Sequence, residues 1–257
     1  MTAAIQPTVF KSMPVFARAS TLADGTMSSP QGATTDVQQH RTKWLSTLRI
    51  SPEHTTLLKV TYGEGIDYLR IKTADVADKG RGIIDLEHNV IADALFTREK
   101  SHALFLPLAD CGGVVLFDAR QRILGVVHLG RQATFAGLAA RTIDYMVEQF
   151  GTDPADVHVW ISPSISGDSY HLKYFDFADD PAWQPFTRKD GEGWLVDLQA
   201  YNTAQMVAAG VPEAHIDHSG VDTATHPDYP SHHRFSVHNE QSKAGRFAIV
   251  AMIKEGK

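Results

Sequence analysis

The sequence predicts a layered α/β fold, and three observations carry that reading. Short β-branched runs alternate with segments of helical periodicity along the whole chain. No composition break, linker-like stretch or internal repeat divides it, so strands and helices belong to one layered unit spanning residues 1–257. The 257 residues are 43% hydrophobic and 21% charged, an ordinary globular mix. A chain of this length buries roughly three quarters of its unfolded surface and needs no cross-links to hold a core.

Residues 20–36 (STLADGTMSSPQGATTD) are rich in Ser, Thr and Gly and read as a long surface loop. A short amphipathic helix is expected over 37–48, with Trp44, Leu45 and Leu48 on one side. Two strand-like runs, 57–62 and 66–71, flank Gly63-Glu64-Gly65 and predict a hairpin. Residues 73–90 look irregular. Three apolar, β-branched-rich runs at 104–108, 114–117 and 123–127 read as buried strands, the last two joined by a turn at 118–121.

Phe135, Leu138, Ala139, Thr142, Ile143, Met146, Val147 and Phe150 then recur at helical spacing. Gly151 follows where a left-handed cap belongs. Residues 157–161 form a further strand. Asp197 is placed to cap a helix burying Leu198, Tyr201, Gln205, Val207 and Ala208, stopped by Gly210. Residues 247–253 form the last strand.

Bulk properties narrow the function. The net charge is −6 and no basic stripe stands out, which argues against nucleic-acid binding. One cysteine forbids an intrachain disulfide and fits a reducing compartment. No run approaches the roughly 18 apolar residues of a membrane span. Lys11 and Arg18 interrupt the N-terminal stretch, which does not read as a secretory signal. The expectation is a cytoplasmic protein acting on a small molecule.

Two residues carry the candidate chemistry. Cys111 ends an apolar strand and precedes Gly112-Gly113, whose bare backbone permits close approach by a ligand or another chain segment. It reads as a nucleophile or soft metal ligand, the competing reading being an inert core thiol. His128 ends the 123–127 strand, where α/β sheets place ligands. It reads equally as a hydrogen-bonded structural histidine. Gly130, Arg131 and Gln132 follow at a helix start able to receive an anion. An intervening strand returns the chain, so Cys111 and His128 lie side by side. Such a pair suits Zn²⁺ or copper, and equally a metal-free Cys–His hydrolytic pair. His215, His218, His226, His232, His233 and His238 form a histidine-rich stretch that reads as a polar surface loop, from which one ring could complete the site.

The segment from ADALFT (92–97) through Ala109-Asp110-Cys111 to His128-Leu129-Gly130 resembles the heart of the YfiH or laccase-domain family. That family shows an ADAL-(V/F)-T run, an A-D-C motif and H-A-G-W-R-G leading into a helix. Weaker matches lie at Ala19-Ser20-Thr21, Ser162-Pro163-Ser164-Ile165, Val196-Asp197-Leu198, Ser231-His232-His233-Arg234 and Gly245-Arg246-Phe247, so the likeness covers most of the chain in order. The resemblance implies one three-layer α/β/α domain with a mixed β-sheet. It implies a zinc or copper centre of one cysteine and two histidines. The activities it implies are purine nucleoside phosphorolysis and adenosine deamination, with polyphenol oxidation (laccase) and peptidoglycan editing also described.

Two positions depart from the pattern. The family's Q-V-H-G matches 59–63 here, so Tyr62 stands at the third-ligand position. Its W-R-G becomes Arg131-Gln132-Ala133, so the family's arginine is displaced by one position or lost. Four readings follow: a zinc-dependent phosphorylase or deaminase with Cys111 and His128 as ligands and Arg131 and Gln132 on phosphate; a copper phenol oxidase; a metal-free Cys–His hydrolase or deamidase; and a relative that kept the fold and lost the chemistry.

Overall fold

The computed structural model describes residues 6–29, 34–237 and 245–255. Along the chain run β1 (Val15–Ala19), α1 (Thr35–Thr47), β2 (Thr55–Lys59), β3 (Ile71–Thr73), β4 (Val90–Ile91), β5 (Ala94–Thr97), β6 (Ala103–Leu108), β7 (Gly112–Asp118) and β8 (Ile123–Leu129). There follow α2 (Arg131–Phe135), α3 (Leu138–Phe150), β9 (Val157–Ile161), β10 (His171–Leu172), β11 (Thr187–Asp190), β12 (Gly193–Val196), α4 (Leu198–Ala208), β13 (Ile216–His218), α5 (His232–Val237) and β14 (Phe247–Ile253). The class is α/β with mixed strand pairing, as the sequence predicts.

The β layer is double. A five-stranded sheet runs β1-β14-β6-β2-β4 and a six-stranded sheet runs β13-β9-β7-β8-β5-β3, each with parallel and antiparallel neighbours. Strand parity shows how they meet. Leu104, Leu106 and Leu108 of β6 share one apolar cluster with Val115 and Phe117 of β7 and Leu124 and Val126 of β8. The alternate residues face outward. Ala103 and Phe105 pack on Trp44 and Leu45 of α1, while Val114, Leu116 and Val127 pack on Ile143 and Met146 of α3. The order is helix, sheet, sheet, helix, where the expectation had a single sheet between helix layers. Near-continuous apolar runs bury both faces of a strand, and they do not reveal whether the far face meets a helix or a second sheet.

The predicted 57–62/66–71 hairpin does not form. β2 pairs with β4 and β6 in one sheet, while β3 pairs with β5 in the other, and residues 60–70 form an irregular crossing between them. The Gly63-Glu64-Gly65 turn signal marks the bend of that crossing. The loop predicted over 20–36 is non-helical over its described residues 20–29 and 34 apart from a 3-10 turn, Leu22–Asp24, but 35–36 already belong to α1, and Met27 is fully buried beneath that helix; residues 30–33 lie outside the described residues. Thr34 caps α1, which starts two residues earlier than expected. The predicted 135–150 helix is confirmed as α3, preceded by the short α2 and separated from it at Gly137, where φ is +80°. Gly151 closes α3 in the left-handed region. Asp197 caps α4 as expected, but the buried face carries Leu198, Asn202 and Met206, and Val207 is exposed. No described helix is long and apolar enough to cross a membrane.

Candidate functional site

The site lies at one open end of the layer between the two sheets. β7 and β8 pair antiparallel with Gly113 opposite His128. His128 shares the parity of Leu124 and Val126 and therefore points between the sheets, where it is 3% exposed. Cys111 sits in the Ala109-Asp110-Cys111 link that carries the chain from β6 in one sheet to β7 in the other. The two predicted residues are thus neighbours, although β6 and β8 belong to different sheets. A side chain starting at Gly130 would lie 2.7 Å from His128 Cε1, 3.4 Å from His128 Nε2 and 3.1 Å from Cys111 Sγ. Glycine at 130 is what lets sulfur and imidazole approach one common point. Gly113 does the same for the sheet packing: a Cβ there would meet Leu108 Cδ1 at 2.3 Å.

Buried acids hold this arrangement. Asp110 takes a left-handed backbone, φ +73°, unusual for a residue with a side chain. Its carboxylate accepts from Thr223 Oγ1 (2.6 Å), Ser231 Oγ (3.0 Å) and the His233 backbone N–H (2.6 Å), and its carbonyl accepts from Ile165 N–H (2.9 Å). One side chain therefore draws two distant loops to the Cys111 corner. Asp93, fully buried, accepts two hydrogen bonds from the Arg70 guanidinium (2.7 and 2.8 Å), and its carbonyl accepts from His128 N–H (2.9 Å). Arg70 also donates to Thr61 Oγ1 (2.6 Å) and Thr61 O (3.2 Å), tying the Tyr62 segment to the strand beside His128.

Tyr62 reaches into the pocket with its hydroxyl 3.3 Å from His128 Nε2, the rings meeting edge to face. The other imidazole nitrogen, Nδ1, is buried with no hydrogen-bond partner among the described residues. Burial pushes the His128 imidazole down to about 4, with Asp93 pulling weakly the other way. Burial pushes the Cys111 thiol up to about 12, Asp110 adding to this and Arg246 and Arg131 opposing it. Tyr62 as a whole is 66% exposed, but its hydroxyl end is desolvated against His128, which raises it, with Cys111 adding. At neutral pH the pocket presents a neutral thiol, a neutral imidazole and a neutral phenol. No hydrogen bond joins Cys111 to His128 among the described residues, so the ion pair of an activated thiol is not formed.

The cavity around them has a volume of about 580 Å³. Tyr62, Tyr68 and Tyr170 give it aromatic walls; Ile165, Leu172 and Leu198 give it apolar ones. Arg131 and Gln132, expected as anion-binding residues, both line it, as do Arg246, His232 and His233. His215, by contrast, stacks on His158 with ring centroids 4.1 Å apart, and His218 lines a different cavity. His226 contacts Tyr229, and His238 lies outside the described residues. Asp93, Asp110, Arg70 and Arg246 were not among the predicted site residues. The ADAL, A-D-C and G-R matches mark Asp93, Asp110 and Arg246 by place but not by role, and no motif marks Arg70.

The donor set does not fit the expected metal centre. A zinc or copper site of this type needs three His, Cys or carboxylate donors converging on one point. No group of three such residues does so among the described residues. Tyr62 supplies a protonated phenol where a third ligand would stand.

Fold and pocket define an α/β protein with a mixed aromatic and cationic small-molecule site. The chain belongs to the family described as "Multi-copper polyphenol oxidoreductase laccase", whose profile matches residues 25–254. It is 31% identical over 193 residues to a Bacteroides thetaiotaomicron protein named purine nucleoside phosphorylase, covering 73% of this chain and 69% of the relative. It is 29% identical over 164 residues to adenosine deaminase RL5 from an unknown prokaryotic organism, covering 60% and 61%. The crystal structure of YlmD from Geobacillus stearothermophilus shares the fold with a TM-score of 0.82 at 23% identity, covering 99% and 98% of the two chains.

Proposed function

We propose that this chain is a purine nucleoside phosphorylase whose Cys111–His128 pocket works without a bound metal. One observation carries the reading. Arg131 and Arg246 both line the cavity that holds Cys111 and His128, while a three-donor metal site is not assembled among the described residues. Among the activities borne by relatives' names, phosphorolysis is the one whose nucleophile arrives with the substrate. Deamination needs water activated to hydroxide, and phenol oxidation needs copper ligands. The residues that favour phosphorolysis are therefore cations that hold phosphate and walls that hold the nucleoside.

In this reading the base lies against Tyr68, Tyr170 and Leu198, and Arg131 and Arg246 hold dihydrogen phosphate by charge-assisted hydrogen bonds. A phosphate oxygen bonds to C1′ of the ribose as the bond from C1′ to N9 breaks. The electron pair leaves with the purine, which takes up the proton released by the phosphate. The products are the free base and ribose 1-phosphate. Tyr62 O–H and Cys111 S–H donate hydrogen bonds to the departing ring without having to ionise. The cavity volume falls within the roughly 300–1,000 Å³ of small-molecule sites.

The test is incubation of the pure protein with inosine, adenosine or methylthioadenosine, with and without phosphate. Base release that requires phosphate, and falls by about 10–100-fold in kcat/KM for Arg131→Ala, is expected. Absence of phosphate-dependent base release from all three nucleosides would overturn the proposal.

A further inference from the structure

A second cavity of about 390 Å³ adjoins the first, sharing Tyr62, Pro107 and Arg246 with it. Its charge is one-sided: Arg41, Lys59 and Arg246 line it, and among the described residues no Asp or Glu does. Arg41 is the telling residue. It is 4% exposed, and none of the described carboxylates pairs with it. Its Nε donates to Met27 O (2.7 Å) and its Nη1 to Gly82 O (3.0 Å), which aims the guanidinium into the cavity. Among the described residues Nη2 makes no hydrogen bond, and the guanidinium's other contact is the Phe105 ring at 5.9 Å, which carries no counter-charge. Two carbonyls partly solvate a buried cation but do not neutralise it, and burying an unpaired charge is costly. Ion pairs are absent from Lys59 and Arg246 as well among the described residues. Burial alone accounts for the shift of Arg41, with no acid opposing it. Asn89, Ser28 and the Tyr62 flank complete a polar rim.

We propose that this second cavity is an anion subsite that takes a phosphoryl group, held by Arg41, Lys59 and Arg246. The missing counter-charge is then the ligand's own. The shared lining at Tyr62, Pro107 and Arg246 sets the two cavities side by side. A phosphorylated nucleoside would reach from one into the other, and free phosphate would occupy the second alone. The carrier rests on the nucleoside reading of the main pocket; the anion chemistry does not.

The experiment is calorimetric titration of the full chain and of Lys59→Glu and Arg41→Lys, each checked for an unchanged melting profile. Lys59 is exposed and Lys59→Glu keeps the fold; Arg41→Lys keeps charge but loses the paired carbonyl anchors. AMP is expected to bind at least about tenfold more tightly than adenosine, and the advantage to fall within about twofold in Lys59→Glu. The second arm titrates inorganic phosphate into Arg131→Ala, with and without Lys59→Glu. Phosphate binding that persists in Arg131→Ala and is lost on adding Lys59→Glu supports the subsite even where AMP and adenosine bind alike, and assigns it to free phosphate. The proposal is overturned if neither the AMP preference nor phosphate binding depends on Lys59 or Arg41, complete absence of binding included. Phosphate-dependent cleavage of inosine is measured in parallel, because its failure overturns the phosphorylase reading and leaves the anion result standing.

Discussion

An imidazole offers a metal a neutral nitrogen lone pair at physiological pH, whereas a phenol must first lose its proton. At position 62 that difference decides what the Cys111–His128 pocket can hold. The Tyr62 hydroxyl already engages His128 Nε2 at 3.3 Å and, as an ordinary phenol desolvated only at its tip, stays protonated at physiological pH. Tyr62→His should therefore create the three-donor set that is absent among the described residues. Mass-spectrometric metal analysis is expected to find well under one zinc per wild-type chain and close to one in Tyr62→His. Stoichiometric zinc in the wild type would refute this reading of the donor set. Asp110 makes a second residue-scale prediction. Asp110→Ala leaves the hydroxyls of Thr223 and Ser231 and the N–H of His233 without their acceptor and keeps a left-handed backbone under a Cβ. The expected cost is about 2–4 kcal/mol in urea unfolding; a loss below about 1 kcal/mol would contradict it.

At the scale of elements, the β7–β8 hairpin and the β6–β7 link make the site. The hairpin was legible because 114–117 and 123–127 are apolar, β-branched-rich runs around a turn at 118–121, and the register follows from that turn. The neighbourhood of Cys111 and His128 was legible for the same reason. The crossing at 60–70 was not. Alternation and a Gly-x-Gly turn are local signals, and nothing local says that 57–59 and 71–73 pair in different sheets. Arg70, Asp93 and Asp110 escaped as site residues because their role is to join segments distant in sequence. Gly113→Ala tests the packing that the link depends on. The added methyl meets Leu108, Ile249 and Ser162 at 2.3–2.9 Å, from both sheets at once. A loss of about 1–3 kcal/mol is expected, with Gly112→Ala, whose Cβ meets nothing closer than 3.4 Å, well below it. Equal effects at the two positions would contradict the two-sheet packing.

At the scale of the molecule, stability depends on pH through imidazoles that the core refuses to charge. His102 is fully buried at the start of β6. Its Nε2 faces Thr56 Oγ1 at 2.7 Å, and the Thr56 hydroxyl itself donates to Asp78 O at 2.6 Å, so Nε2 carries the proton. Burial holds its pKa down to about 4, against an ordinary value of 6.5. Between those values the unfolded chain binds a proton that the folded chain excludes. Stability is therefore complete above about pH 6.5 and falls as the pH drops toward 4. Urea unfolding at pH 5 should show a loss on the order of 1–2 kcal/mol from His102 relative to pH 7.5, removed in His102→Gln. A pH dependence unaltered in that variant would argue against it.

The phosphorylase reading joins all three scales, since it needs the residue chemistry, the glycine-opened corner and the cavity between the sheets. Its most direct test is to strip the wild-type protein with a chelator, verify its metal content, and follow hypoxanthine and ribose 1-phosphate from inosine and phosphate. Equal yields of the two products, undiminished by the chelator and lowered by about 10–100-fold in kcat/KM in Arg131→Ala, are the expected result. Base release that vanishes on metal removal and returns with zinc, or that yields free ribose without phosphate, would contradict it.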